Sequence, residues 1–296
     1  MAEAERAAAP AREGEGRAVI AAMRPRQWTK NLLLFAGVLF AAEFDDPQRW
    51  IEAFVAFVAY CAASSAAYIV NDVFDAEEDR RHPLKRHRPI ASGALVTDRA
   101  LKIAAMLAIF GVAAMSWFGW ASVAYIAGFL ALQAAYSWKL KQVVLIDVMA
   151  IAALFVIRAA AGAEAVDVRI SPWLIVCTAL LALFLALAKR RGELVARADT
   201  ARQVLAGYSF PLVDQLVSIV AACTIVAYSL YTFEAREGSA MMATIPFVVF
   251  GIFRYLLLMH REDLGEEPES VLLTDLPILA TIAAWAVTSA LILGLS

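Results

Sequence analysis

The sequence predicts an all-α, multi-pass membrane helical bundle of about nine transmembrane helices. Of its 296 residues, 62% are hydrophobic and only 18% are charged, and the mean hydropathy is +0.67, far outside the range of soluble globular domains. The apolar residues form runs of about 20, the length at which a helix crosses the hydrocarbon core. These runs are roughly 24–42, 51–74, 99–118, 120–138, 143–163, 171–190, 211–233, 240–260 and 275–295.

The chain divides into a short polar segment and one membrane domain. Residues 1–17 are rich in Ala, Glu, Arg and Gly, a composition typical of disordered segments, and they lack the apolar core and cleavage site of a signal peptide. We expect residues 18–296 to form a single transmembrane domain. The three cysteines lie far apart within apolar runs, which indicates neither disulfides nor a metal site.

The distribution of Lys and Arg places the amino terminus in the cytoplasm. With that orientation the outer loops hold only Arg49, Arg169 and Arg236, and the long basic connections all lie on the inner side. We expect this arrangement in the plasma membrane. The net charge of −2 hides the segregation and therefore gives no information about partners.

An acidic cluster follows the second predicted span at its inner end. At about 100° per residue, Asn71, Asp72, Asp75 and Asp79 share one face of a helix that continues from residue 51. Carboxylates this close repel one another, and each costs about 2.5–3.5 kcal/mol at the centre of a bilayer, so a cation is expected among them. Mg²⁺ is the natural candidate, because it usually binds through one or two carboxylates plus substrate phosphates.

A basic run comes directly after the acidic cluster and includes Lys85, Arg86 and Arg88, which supply charges for the rest of a phosphorylated ligand. The alternative interpretation is a solvated helix end followed by an ordinary charged loop. The adjacency of the two clusters favours a site, as do polar groups at the same membrane depth. These groups are Lys30 and Asn31 at the polar start of the first span, and Tyr136 and Lys141 after the fourth.

Two charged residues lie within the fifth span, Asp147 near its inner end and Arg158 deeper. They face the same way but lie roughly 16 Å apart along the helix axis, so each needs another partner. A charge in hydrocarbon is expensive and therefore indicates a functional site, the alternative being an internal structural pair.

The sixth span is followed by Lys189, Arg190, Arg191 and Glu193. A basic triplet here is either a topology anchor or a phosphate-binding group. Glu193 is then an extra metal ligand or a partner for the basic groups.

These features resemble the UbiA superfamily of membrane prenyltransferases. The resemblance rests on the spacing Asn71-Asp72-x-x-Asp75-x-x-x-Asp79 at the end of the second of nine spans, and it covers the chain from Met23 onward. It implies an all-α bundle with a central cavity open to the cytoplasm and to lipid, in which the motif holds Mg²⁺ on a diphosphate.

One departure points to a particular branch of that superfamily. Aromatic prenyltransferases carry a second Asp-rich motif after the sixth span, where this chain has Lys189 to Glu193 and then only Asp199. This replacement, with residues 24–31, 85–93 and 157–162, is similar to the polyprenyl-phosphate phosphoribosyltransferases, including the decaprenyl-phosphate enzymes of cell-wall arabinan synthesis. Their donor is phosphoribosyl diphosphate and their acceptor a polyprenyl phosphate. Because both substrates carry phosphates, the branch needs more cations than an aromatic prenyltransferase does.

The resemblance implies a role for each candidate residue. Asp72, Asp75 and Asp79 are the expected catalytic residues and Mg²⁺ ligands, with Asn71 hydrogen-bonding or ligating, and Asp147 is expected on the ribose hydroxyls. The other expected substrate-binding residues are Lys30, Asn31, Lys85, Arg86, Arg88, Tyr136, Lys141, Lys189 and Arg190.

Two other functions remain open at this point. One is an aromatic prenyltransferase for a quinone, haem or lipid precursor, and the other is a lipid transporter or lipid-binding protein without turnover. No nucleic-acid partner is expected, and the chain can form a homo-oligomer in either case.

Overall fold

The computed structural model describes residues 14–41, 46–83, 85–169, 172–195, 203–234, 240–261, 271 and 274–295. Helix α1 covers residues 14–23, so the predicted polar segment lies outside the described residues only up to residue 13 and is helical from residue 14. A 3₁₀ helix, Pro25–Phe35, follows it. The remaining helices are α2 (Ala36–Ala41), α3 (Pro47–Phe74), α4 (Ala76–Arg81), α5 (Thr97–Met115), α6 (Trp120–Trp138), α7 (Ile146–Ala165), α8 (Pro172–Val195), α9 (Phe210–Glu234), α10 (Ile245–Arg261) and α11 (Leu276–Leu295).

The prediction of a membrane bundle is confirmed at the level of the fold, and the count of nine spans is not. Among the described residues, six helices are long and apolar enough to cross a bilayer: α3, α5, α7, α9, α10 and α11. The other predicted spans coincide with the 3₁₀ segment plus α2, with α6 and with α8. Their apolar stretches are shorter, or polar residues such as Gln133 interrupt them.

Helix α3 lies at the centre of the amino-terminal part of the bundle. It packs against α5, α6, α7 and the 3₁₀ helix, and alanines such as Ala56, Ala59 and Ala63 are fully buried on it. A second apolar core joins α8, α9 and α10. Close packing of small residues brings α3 near its neighbours, so the residues at its carboxyl-terminal end lie among several elements.

The 3₁₀ helix and α2 both approach α7 so closely that only glycine fits at the contacts. A Cβ at Gly162 would lie 2.2 Å from the carbonyl oxygen of Leu34, and a Cβ at Gly37 would lie 2.9 Å from the Cα of Ala163. The backbone of the first predicted span therefore approaches α7 directly.

The acidic cluster departs from the single continuous helix that we expected. Helix α3 ends at Phe74, Asp75 has φ −89° and ψ 2°, and α4 begins at Ala76. The amides of Asp75 and Asp79 still bond the carbonyls of Asn71 and Asp75, at 2.9 and 2.8 Å. Like charges at neighbouring positions weaken a helix, yet the break is local and the predicted face is retained.

Candidate active site

The three aspartates of the acidic cluster differ in exposure. The side chains of Asp72 and Asp79 are buried, with relative exposures of 2% and 3%, whereas Asp75 is half-buried at the junction of α3 and α4. Glu77 and Glu78 on α4 are exposed. The aspartates are therefore more buried than the glutamates; the helical spacing predicts this for Glu77, whereas it places Glu78 at the border of the acidic face.

Two arginines hold the buried pair of aspartates. Arg88 Nη1 lies 2.7 Å from Asp79 Oδ2 and 3.2 Å from Asp72 Oδ1. Arg24 Nη2 lies 2.5 Å from the same Asp72 oxygen. Since one nitrogen of Arg88 reaches both carboxylates, their facing oxygens are neighbours.

Asp75 has a separate set of partners. Lys141 Nζ lies 2.6 Å from Asp75 Oδ1, and the side-chain amide of Asn71 donates to Asp75 Oδ2 at 2.9 Å. Lys141 lies on a short 3₁₀ helix, Leu140–Gln142, between α6 and α7. The structure thus joins the acidic motif to a loop that is distant in sequence, as the shared membrane depth of the two had predicted.

The remaining predicted phosphate-binding residues surround this centre less closely. Lys30, Lys85 and Lys189 are half-buried, and each has interactions of its own. Arg86 is exposed and donates from Nε to His87. Arg86 is thus the most exposed of these predicted residues, whereas the three lysines are half-buried.

A second polar centre lies where α7, α8 and the segment before α9 meet. Asp147 is completely buried, its Oδ2 lies 2.8 Å from Arg190 Nε, and its Oδ1 accepts a 2.6 Å hydrogen bond from the hydroxyl of Tyr208. Arg190 also pairs with Glu193 and interacts electrostatically with Tyr136. The contact of Arg190 Nε with Asp147 is an ion pair by distance, without the geometry of a hydrogen bond.

Tyr208 completes this second centre. Its hydroxyl accepts a 2.8 Å hydrogen bond from the amide of Leu145 while donating to Asp147. Burial raises the pKa of the Tyr208 phenol far above its usual range, and the bond to Asp147 raises it further. The phenol therefore stays protonated and keeps its proton on the Asp147 side.

Arg158 lies deeper in the bundle, near Asn31 of the 3₁₀ helix. Arg158 Nε donates to Asn31 Oδ1 at 2.8 Å, and Nη1 donates to the Leu154 carbonyl at 3.1 Å. The guanidinium carbon lies 4.6 Å from the centre of the Phe129 ring. Asp147 and Arg158 thus have separate partners, as their spacing along α7 predicts.

The UbiA prenyltransferase family model matches residues 32–293. The chain belongs to this family. The match runs from the end of the 3₁₀ helix to the last turn of α11, so the family assignment concerns the bundle and not a single motif.

The relatives of this UbiA family member support the assignment at two levels. Decaprenyl-phosphate phosphoribosyltransferase of Mycolicibacterium smegmatis is 34% identical over 90% of this chain and 89% of its own length. The protein of the same name from Mycobacterium tuberculosis H37Rv is 33% identical over 91% and 92%. A solved UbiA homolog from Archaeoglobus fulgidus, bound to GPP and Mg²⁺, has a TM-score of 0.73 at 15% identity and covers 94% of this chain and 100% of that chain. The last likeness concerns the fold alone.

Two site residues of this UbiA family member were absent from the sequence prediction. Arg24 is the first residue of the first predicted span, 24–42, and Tyr208 follows a basic connection with no motif around it. The position of Arg24 in the sequence could have indicated its role, since it is a cation at the same predicted membrane depth as the acidic motif. Tyr208 had no such indication, because only the packing of the segment before α9 onto Leu145 brings it to Asp147.

Proposed function

We propose that this UbiA family member is a phosphoribosyltransferase that moves 5-phosphoribose from phosphoribosyl diphosphate to a polyprenyl phosphate. One observation carries the proposal: three carboxylates and three cationic side chains meet at the inner end of α3. Interleaved charges of both signs suit a donor that needs a metal on its diphosphate and cations on its other phosphate. The names of the relatives at 33–34% identity supply the substrate pair.

The reaction has a simple balance of bonds. The bond from C1 of the ribose to the diphosphate oxygen breaks, an oxygen of the lipid phosphate bonds to C1, and diphosphate leaves with the electron pair. As in glycosidic chemistry, C1 passes through an oxocarbenium-like state. The attacking phosphate is ionised at neutral pH, so the site needs no strong general base, in keeping with a chain that has only three histidines.

Asp72, Asp75 and Asp79 are the proposed Mg²⁺ ligands, with Asn71 orienting Asp75. Among the described residues, no group of three His, Cys, Asp or Glu side chains could hold a metal ion by itself. An Mg²⁺ ion usually takes one or two carboxylates and completes its shell with water and substrate phosphate, so the three aspartates would hold one or two such ions together with the donor diphosphate. Bound Mg²⁺ would neutralise charge on the leaving diphosphate.

The cations beside the aspartates have the complementary role. Arg24, Arg88 and Lys141 lie within reach of the carboxylates and so can stabilise charge on the leaving group in a partly buried site. We assign Lys30, Asn31, Lys85, Arg86, Tyr136 and Lys189 to the remaining phosphates and to substrate orientation. Asp147 and Arg190 are engaged with each other, which favours a supporting role over contact with the ribose.

The proposal includes a place in the cell. Residues 18–296 act as one domain in the plasma membrane, with the amino terminus and the site facing the cytoplasm, where phosphoribosyl diphosphate is soluble. The lipid product then serves cell-wall arabinan, that is arabinogalactan, precursor synthesis.

The test compares two substrate pairs with the purified protein in lipid nanodiscs and Mg²⁺. One reaction contains labelled phosphoribosyl diphosphate and decaprenyl phosphate, and the other contains a labelled prenyl diphosphate and an aromatic acid. We expect a labelled product, decaprenyl phosphate carrying 5-phosphoribose, in the first reaction only. Product in the second reaction alone would establish an aromatic prenyltransferase, and product in neither would favour a lipid-binding protein.

Two variants locate the active site. Asp75→Asn removes a proposed ligand and is expected to lower turnover by roughly a hundredfold or more while the protein remains folded. Glu77→Gln, on the exposed side of α4, is the matched control and should retain turnover. Equal turnover in the two variants would contradict the assignment of the metal site.

A further inference from the structure

Arg158 is a buried cation without an acidic partner. It is 3% exposed in the middle of α7, and no carboxylate of the described residues lies within ion-pairing distance. Its contacts are neutral: Asn31, the Leu154 carbonyl and the faces of Phe129 and Phe155. Every other buried arginine of the described chain, namely Arg190 and Arg191, pairs with a carboxylate.

Arg158 has N–H groups that donate no hydrogen bond to the described residues, and the hydroxyl of Tyr60 is likewise without a hydrogen-bond partner there. A guanidinium has five N–H donors, and the Nη2 group donates to none of the described residues. The hydroxyl of Tyr60, which is fully buried and interacts electrostatically with Arg158, has no hydrogen-bond partner. Unpaired donors in a membrane interior are costly, so this place is suited to an anion.

A line of polar side chains connects Arg158 to the acidic cluster. Tyr68 lies one helical turn before Asp72 on α3, with the Arg24 guanidinium 5.2 Å from its ring centre, and it also interacts with Arg158. Ser64, one turn further in, donates to Asn31. Ser64 and Asp72 are about 12 Å apart along the helix axis. Arg158 therefore lies deeper in the bundle than the proposed diphosphate site.

We infer that Arg158 and Tyr60 form an anion subsite that binds a phosphomonoester of one of the two substrates. The inference rests on the proposed function, because both substrates of that reaction carry such a group. It assigns Asn31 the task of orienting the guanidinium, since Asn31 Oδ1 accepts from Arg158 Nε. The forked guanidinium is suited to paired phosphate oxygens.

The phosphomonoester has two possible sources, and paired ligands distinguish them. The donor arm compares phosphoribosyl diphosphate with ribose 1-diphosphate, which lacks the 5-phosphate. The acceptor arm compares a polyprenyl phosphate with the corresponding polyprenol. Binding to the full chain in nanodiscs with Mg²⁺ is measured for each ligand, for the wild type and for Arg158→Gln.

The expected result is a coupling between the residue and one phosphate. In the wild type, removal of that phosphate should weaken binding about tenfold or more. In Arg158→Gln, the same two ligands should bind equally. Coupling in the donor arm assigns the subsite to the 5-phosphate, and coupling in the acceptor arm assigns it to the lipid phosphate.

An equal loss in the wild type and in Arg158→Gln, in both arms, would overturn the inference and leave Arg158 as a packing residue. Should Arg158→Gln fail to fold, the isosteric Tyr60→Phe replaces it, and we expect a smaller, severalfold coupling between this substitution and the phosphate. The absence of any such coupling would overturn the inference. Failure of the proposed function gives a different result, since the wild type would then form no product from phosphoribosyl diphosphate at all.

Discussion

At the scale of single residues, the arginines of this protein differ in what balances their charge. Arg88 serves two buried aspartates with one nitrogen. Arg191 pairs with Asp214, donates to the Met259 carbonyl and lies over the Phe210 ring, which ties α8 to α9 and α10. In the first arrangement a bound Mg²⁺ could replace the arginine at the carboxylates, whereas in the second the arginine holds three helices together. The residue type is therefore a poor guide to the role.

A prediction follows for Arg88. Arg88→Gln removes a cation from two buried carboxylates, so we expect a loss of stability of about 1–3 kcal/mol. Mg²⁺ should then raise the Tm more in Arg88→Gln than in the wild type, because less positive charge competes for the aspartates. Thermal unfolding in nanodiscs with and without Mg²⁺ measures this effect.

The control for this measurement is Arg86→Gln, an exposed arginine of the same loop. Its response to Mg²⁺ should equal that of the wild type. A smaller Mg²⁺ effect in Arg88→Gln than in either protein would show that the aspartates do not attract the ion.

At the scale of elements, the loop before α7 joins the two polar centres. Leu145, just before α7, has φ +66°, a conformation that costs a non-glycine residue of order 1–3 kcal/mol. Its amide is held by Tyr208, and Lys141 of the same loop reaches Asp75. The strained turn therefore sets the position of Lys141 beside the acidic cluster, with Tyr208 as a positioning residue.

Tyr208→Phe tests this coupling. It removes the bond that holds Leu145, so we expect the KM for phosphoribosyl diphosphate to rise roughly tenfold while the KM for the lipid stays unchanged. Adding Leu145→Gly should restore much of the lost affinity, since glycine adopts a positive φ without strain. Steady-state kinetics of the single and double variants give the answer.

Tyr228→Phe is the matched control, because the Tyr228 hydroxyl bonds Thr244 and Trp285 in another part of the bundle. It should leave both KM values unchanged. A Tyr208→Phe variant that loses only stability, with both KM values intact, would reduce Tyr208 to a packing role.

At the scale of the whole molecule, the polar groups of the candidate site gather at one end of the bundle. The acidic cluster, Lys141 and the basic end of α8 all lie at the end of the bundle that the distribution of Lys and Arg assigns to the cytoplasm. With that orientation, the proposed soluble sugar donor would reach the site from the cytoplasm, while apolar helices such as α5 and α11 are long enough to cross the lipid. The architecture therefore suits a reaction between one soluble and one membrane substrate.

Orientation can be tested in a variant in which Cys61, Cys177 and Cys223 are replaced by Ser. We expect Arg86→Cys to react with an impermeant thiol reagent only from the cytoplasmic side of oriented vesicles. Gln48→Cys, exposed in the first turn of α3, should react only from the opposite side. Labelling of both positions from one side would contradict the predicted topology.

The sequence alone determined the membrane class, the helical architecture and the acidic face at residues 71–79, because hydrophobic run length and helical periodicity are local properties. It also predicted that Lys141 belongs with the aspartates, from membrane depth. The number of spans was less secure, since the 3₁₀ start of the first segment depends on its contact with α7 at Gly162.

Only the tertiary structure decided which charges pair. Arg24 meets Asp72, Arg190 meets Asp147, and Arg158 meets no acid among the described residues. Pairing depends on distances between elements far apart in the chain, which hydropathy and spacing do not encode. The helices could therefore be predicted from local hydrophobic pattern, while the pairing of charges in the site depends on how those helices pack.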